Sequence, residues 1–79
     1  MNNTGRIDDI FMLQVRLFRL AQLKWNLTPE ECDRIFRKYS INSYIETCYE
    51  EYHVQGDEAN LHDIESYIEN RKVINDTTK

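Results

Sequence analysis

Between residues 28 and 56 the apolar positions recur at helical intervals on two successive segments. Cys32, Ile35, Phe36 and Tyr39 share one face of the first segment, and Ile41, Tyr44, Ile45, Cys48 and Tyr52 share one face of the second. Thr28, Pro29, Glu30 and Glu31 mark a helix start. The Thr28 hydroxyl can accept from the N–H of Glu31, whose carboxylate can reach back to the N–H of Thr28. Pro29 at the first helical position loses no hydrogen bond. The pattern predicts a helix over residues 29–39, a short turn over 40–42, and a helix from about residue 43 to residue 53. Ser43 and Glu46 are placed for a second capping box, while Ile41 and Tyr44 favour an earlier start. Gly56 ends the pattern, expected in a left-handed conformation, with His53 capping the last carbonyls and Gln55 bonding into the next connection.

Upstream, residues 1–5 are polar and expected to be loose, and a first helix is predicted over residues 6–25. Ile7, Ile10, Phe11, Leu13, Leu17, Phe18, Leu20, Ala21 and Trp25 fill one broad arc of it. The opposite arc holds Asp8, Asp9, Arg16, Arg19, Gln22 and Asn26. It also holds Met12, Val15 and Leu23, a second and narrower stripe. A small bundle does not easily cover both sides of its first helix. That stripe, rimmed by Arg16 and Arg19, is therefore a candidate surface for another protein or for a second copy in a homodimer. Downstream, Asn60 with Asp63 reads as a further helix start. A fourth helix is predicted over residues 61–72, burying Leu61, Ile64, Tyr67 and Ile68, with Arg71 and Lys72 suiting the negative end of its dipole. Residues 73–79 are expected to fray. The expected fold is all-α, a small bundle of four short helices around a central helical hairpin, forming one domain over residues 6–72.

Composition and charge narrow the function. Seventy-nine residues make one domain that buries only about 60% of its unfolded surface, so its margin of stability is thin. Two Gly and one Pro leave little material for the turns of a sandwich or barrel. The net charge of −4 is unevenly spread: residues 39–70 carry eight carboxylates and no Lys or Arg. An acidic face carrying Glu46, Glu50 and Glu51 is thus a second candidate partner surface, suited to cover a basic, anion-binding cleft. The apolar run from Ile10 to Leu23 is interrupted by Gln14, Arg16, Arg19 and Gln22, too polar for a membrane span. Asp8 and Asp9 precede that run and no small-residue cleavage site follows it, so a cytoplasmic location is expected, with Cys32 and Cys48 reduced on apolar helical faces.

The chemistry-bearing residues are sparse. Cys32, Cys48, His53 and His62 lack the close spacing of a metal site. Cys48 and His53, five residues apart, point in different directions on a straight helix, which disfavours a nucleophile–base pair. No cofactor, small-molecule substrate or catalysis is expected. The helix–turn–helix layout raises a competing reading, a dimeric DNA-binding regulator using Arg34, Arg37 and Lys38. The helix that would enter the major groove carries Glu46, Glu50 and Glu51 instead, and carboxylates facing phosphates oppose binding.

The chain also resembles a bacterial family of short helical domains, about 70 residues long, of uncharacterised function. The residues that carry the resemblance are Phe36-Arg37-Lys38-Tyr39, Tyr44-Ile45, Tyr52-His53-Val54-Gln55-Gly56, Asp63-Ile64 and Tyr67-Ile68, with the Leu27-Thr28 helix start similar as well. The sequence departs from that pattern after Gly56, where Ala59-Asn60 replaces bulkier apolar residues. The resemblance implies a small, helical, cytoplasmic protein. Some such proteins are encoded beside predicted ADP-ribosyltransferase-like proteins, which implies a two-gene module with this chain as the small, antitoxin-like, non-catalytic partner.

Overall fold

The computed structural model describes the backbone of residues 4–77 and the side chains of residues 5–72. Residues 1–3 of the expected loose N-terminus, and residues 78–79 of the expected frayed tail, lie outside the described residues. The described chain is all-α: α1 (Thr4–Lys24), α2 (Pro29–Lys38), α3 (Ile41–Thr47), α4 (Tyr49–Tyr52) and α5 (Asp57–Thr77). The first and last helices are longer than the sequence pattern implied, because α1 takes in Thr4 and Gly5 and α5 runs back to Asp57 and on to Thr77.

The helix ends follow from local chemistry. Leu27 N–H reaches back to the Gln22 carbonyl (3.0 Å) and Asn26 N–H to that of Leu23 (3.2 Å), while Asn26 takes a left-handed φ of 57°. This is a Schellman ending with Asn in the place glycine usually fills. The predicted capping box opens α2: Glu31 N–H donates to Thr28 Oγ1 (3.1 Å), and Thr28 N–H donates to Glu31 Oε1 (2.9 Å). The α2–α3 corner is tighter than expected. Only Tyr39 and Ser40 separate the helices, and Ser40 turns the chain in a left-handed conformation (φ 51°). Ser43 therefore lies inside α3, and the second capping box with Glu46 does not form. The single helix expected over residues 43–53 is broken at Cys48, which leaves helical geometry (φ −92°, ψ 10°) and divides α3 from α4.

The core gathers residues from all five helices. Leu13, Leu17 and Ala21 form an i, i+4, i+8 row on α1. It meets Cys32 and Phe36 of α2, Ile41 and Ile45 of α3, Tyr52 of α4, and Leu61, Ile64 and Ile68 of α5. Ile35 and Cys48 pack against this cluster half-buried, so the two hairpin stripes share one interior as predicted. Leu17, Ile41, Ile45, Leu61 and Ile64 are fully buried, each stabilising the fold by about 1.5–3 kcal/mol. Phe18 and Phe36 meet in a T-shaped arrangement at a centroid distance of 5.0 Å, and Tyr44 stacks on Tyr67 at 3.9 Å. No described helix is long and apolar enough to cross a membrane.

Candidate functional site

Two expected core residues of α1 are not in the core. Ile7 is 62% exposed and Phe11 61%, with Ile10 half-buried, because the body of the protein meets this helix on the Leu13–Leu17–Ala21 side. Met12 (50%) and Leu23 (76%) are exposed as predicted, and Val15 is half-buried. Among the described residues, four of the five exposed large hydrophobic ones therefore lie on one helix; the fifth, Val54, sits between α4 and α5. At 100° per residue, Ile7, Phe11, Val15, Met12 and Leu23 span an outward arc of about 160°.

The charged residues expected to rim this face divide. Arg16 turns to the body and donates to Asp57 of α5 (3.0 Å), whereas Arg19 is exposed. Arg16 belongs to a series of contacts that tie α1 to the acidic half of the chain. Arg6 donates to Glu50 (2.7 Å) and lies over the Tyr49 ring, and Lys24 stands 3.8 Å from Glu65, which also accepts from Trp25 Nε1 (2.7 Å). Exposed pairs of this kind contribute about 0–1 kcal/mol each. They do thin the predicted acidic face, since Glu50 is engaged by Arg6. Glu46 and Glu51 remain exposed.

The three residues of the alternative DNA-contacting set are all exposed. Arg37 donates to Asp33 (2.8 Å), and Lys38 lies over the Tyr39 ring; Arg34 is exposed. The helix that would enter the groove, α3, is seven residues long and presents Glu46. Neither feature suits phosphate contact.

The predicted Gly56 turn is built otherwise. Gly56 does not adopt a positive φ, and His53 stacks on Tyr49 (4.9 Å between centroids) with Nε2 3.8 Å from Glu50. The end of α4 is capped by Asn60, a residue whose sequence context suggests a helix start instead. Asn60 lies inside α5, fully buried, and its Nδ2 donates to the Tyr52 carbonyl (3.0 Å), which also accepts from Gln55 N–H (3.2 Å). Asn60 Oδ1 has no hydrogen-bond partner among the described residues. One signal could have found this: Asn60 stands four and eight residues before Ile64 and Ile68, on the buried row of α5.

Asp63 accepts from two tyrosines, Tyr44 (2.9 Å) and Tyr52 (2.6 Å). Burial first, and then this shared carboxylate, push both phenols above their ordinary value. Burial also raises the Cys32 thiol to about 11, with the Asp33 charge adding to it, and Cys32 Sγ donates to the Phe18 carbonyl (3.7 Å). Cys48 is raised chiefly by burial, against an opposing hydrogen bond from Tyr44. Both thiols thus stay protonated near neutral pH, the opposite of an activated nucleophile. Among the described residues no three His, Cys, Asp or Glu side chains gather to hold a metal ion.

A groove of about 540 Å³, not anticipated from the sequence, opens between the end of α1, α2 and α5. Trp25, Leu27, Ile35, Tyr39 and Ile68 line it together with the charged side chains of Lys38, Lys72, Glu65 and Glu69.

A family model described as a protein of unknown function, DUF3791, matches residues 13–71, a span that contains every buried core residue from Leu13 to Ile68. No curated protein and no solved structure matches the chain.

Proposed function

We propose, for a chain that belongs to the DUF3791 family of proteins of unknown function, that it is a non-catalytic protein-binding module whose contact surface is the outward face of α1. The observation that supports this is the concentration of exposed Ile7, Phe11, Met12 and Leu23 on one helix that is otherwise well packed. Large contiguous apolar exposure on a small domain marks a surface that another molecule covers. The protonated thiols argue against nucleophilic catalysis by either cysteine. The finer reading is an antitoxin-like partner of a neighbouring ADP-ribosyltransferase-like protein, with exposed Glu46 and Glu51 supplementing the apolar contact.

Co-expression with the product of the adjacent gene, followed by affinity purification, tests the reading. The two chains are expected to co-purify, and the Met12→Lys, Leu23→Lys double variant is expected to lose the partner while keeping its helical circular dichroism. Retention of the partner at full stoichiometry by that variant would move the contact off α1.

A further inference from the structure

We infer that, where no other chain covers it, the outward face of α1 is occupied by the same face of a second copy of this chain, the two helices running antiparallel. This rests on reading that face as a protein-binding surface, and it names the occupant.

The seam is Asp8, Met12, Val15 and Arg19, spaced four, three and four residues apart. That is the interval at which two helices meet knobs-into-holes. At 100° per residue the four fall within about 60° of arc. Asp8, Met12 and Arg19 are exposed and Val15 is half-buried, so the chain itself leaves the seam largely uncovered. Phe11 and Leu23 flank it and widen the apolar contact.

The series reads the same from both ends. Turned end for end about the point between Leu13 and Gln14, position 8 falls on position 19 and position 12 on position 15. A two-fold axis perpendicular to two antiparallel helices also keeps each flank on its own side. Asp8 of one copy therefore meets Arg19 of the other, and the same pair forms again at the far end. Two Met12–Val15 layers fill the middle. A parallel pairing would instead set Asp8 against Asp8 and Arg19 against Arg19, so the charges select one orientation.

Asp8 and Arg19 are about 16 Å apart along α1, too far to pair within one helix. Among the described residues Arg19 is the one cation of α1 without a carboxylate partner; Arg6, Arg16 and Lys24 reach Glu50, Asp57 and Glu65.

The test is charge reversal on the full-length chain, read by sedimentation velocity across a concentration series. The parent is expected to be dimeric. Asp8→Arg alone and Arg19→Asp alone each place like charges together twice, and each is expected to raise the dimer dissociation constant about tenfold or more. The double variant, D8R with R19D, restores both pairs in the exchanged sense and is expected to return to within about threefold of the parent. Matching far-UV circular dichroism shows that all three variants fold. A double variant as weak as the singles would overturn the antiparallel register. A dimer unmoved by all three variants would overturn the seam. A parent that stays monomeric, while the Met12→Lys, Leu23→Lys variant loses a co-purifying partner, would overturn self-association and leave the protein-binding reading in place.

Discussion

Asn60→Asp keeps the shape of a fully buried side chain and changes only its chemistry. In the parent, Nδ2 donates to the Tyr52 carbonyl at 3.0 Å. In the variant an ionised carboxylate would set oxygen against oxygen at that contact, with no water to solvate the charge. The folded state therefore keeps the proton. Buried carboxyl groups rise by up to about 3–5 units from about 3.9, so the folded value reaches about 7 or more. Below about pH 3.9 folded and unfolded chains are both protonated and there is no penalty. As the pH rises, the unfolded chain releases its proton and the folded chain does not, so stability falls by about 1.4 kcal/mol per pH unit until the folded value is reached. Near pH 7 the accumulated loss is about 4 kcal/mol. The whole domain is held by about 4–12 kcal/mol on a per-residue basis, so the variant is strongly destabilised or unfolded there. Near pH 4 the protonated carboxyl can donate to Tyr52 in place of the amide, and the variant approaches the parent. Urea unfolding followed by circular dichroism, with parent and variant side by side from about pH 4 to 7.5, reads the difference. A difference that stays within about 1 kcal/mol across that range would show that position 60 is wet, and would refute the assignment of Asn60 as a dry cap on α4.

Three further outcomes are expected. Thr28→Ala removes the hydroxyl half of the capping box and should cost about 1 kcal/mol in a urea titration; an unmoved midpoint would mean that solvent replaces the bond at no loss. Ser40→Gly relieves a left-handed residue whose side chain makes no cap bond, and should raise stability by about 1 kcal/mol. At high pH the raised phenols of Tyr52 and Tyr44 keep the folded state protonated while the unfolded chain ionises near 10.0, so stability is full below that value and declines above it. For buried Tyr52 the slope is about 1.4 kcal/mol per pH unit, and Tyr44, partly exposed, adds less; Tyr52→Phe should flatten the alkaline limb of a stability–pH curve.

The hairpin was legible in the sequence because its signals are local. Thr28 and Glu31 find each other within one turn, and the stripes that end in Tyr39 and Tyr52 bury as their spacing requires. What escaped depended on partners distant in sequence. The break at Cys48 lets Tyr52 bring its hydroxyl to Asp63, eleven residues on, and no periodicity announces that meeting. Asn60 looked like a cap because its type favours caps. It is one, but through its side chain and for the preceding helix. Ile7 and Phe11 were placed inside by a 3.6-residue period that holds along a helix without saying where the body beneath it ends. The outward stripe of Met12 and Leu23 was visible for the converse reason: a second apolar line on a helix with one buried side has to face outward.

The first helix has a mechanical role besides its outward face. Its inner row shares one buried cluster with residues of the other helices, and α1 packs directly on α2, α3 and α5, so most of the core opens once α1 lifts away. The amide protons around Leu13, Leu17 and Ala21 should accordingly be among the slowest to exchange with solvent. A molecule that grips α1 from outside thus holds the wall against which the whole interior is built. Such a molecule, at free concentration c, raises the resistance of the domain to unfolding by RT ln(1 + c/Kd), so the gain grows with its concentration.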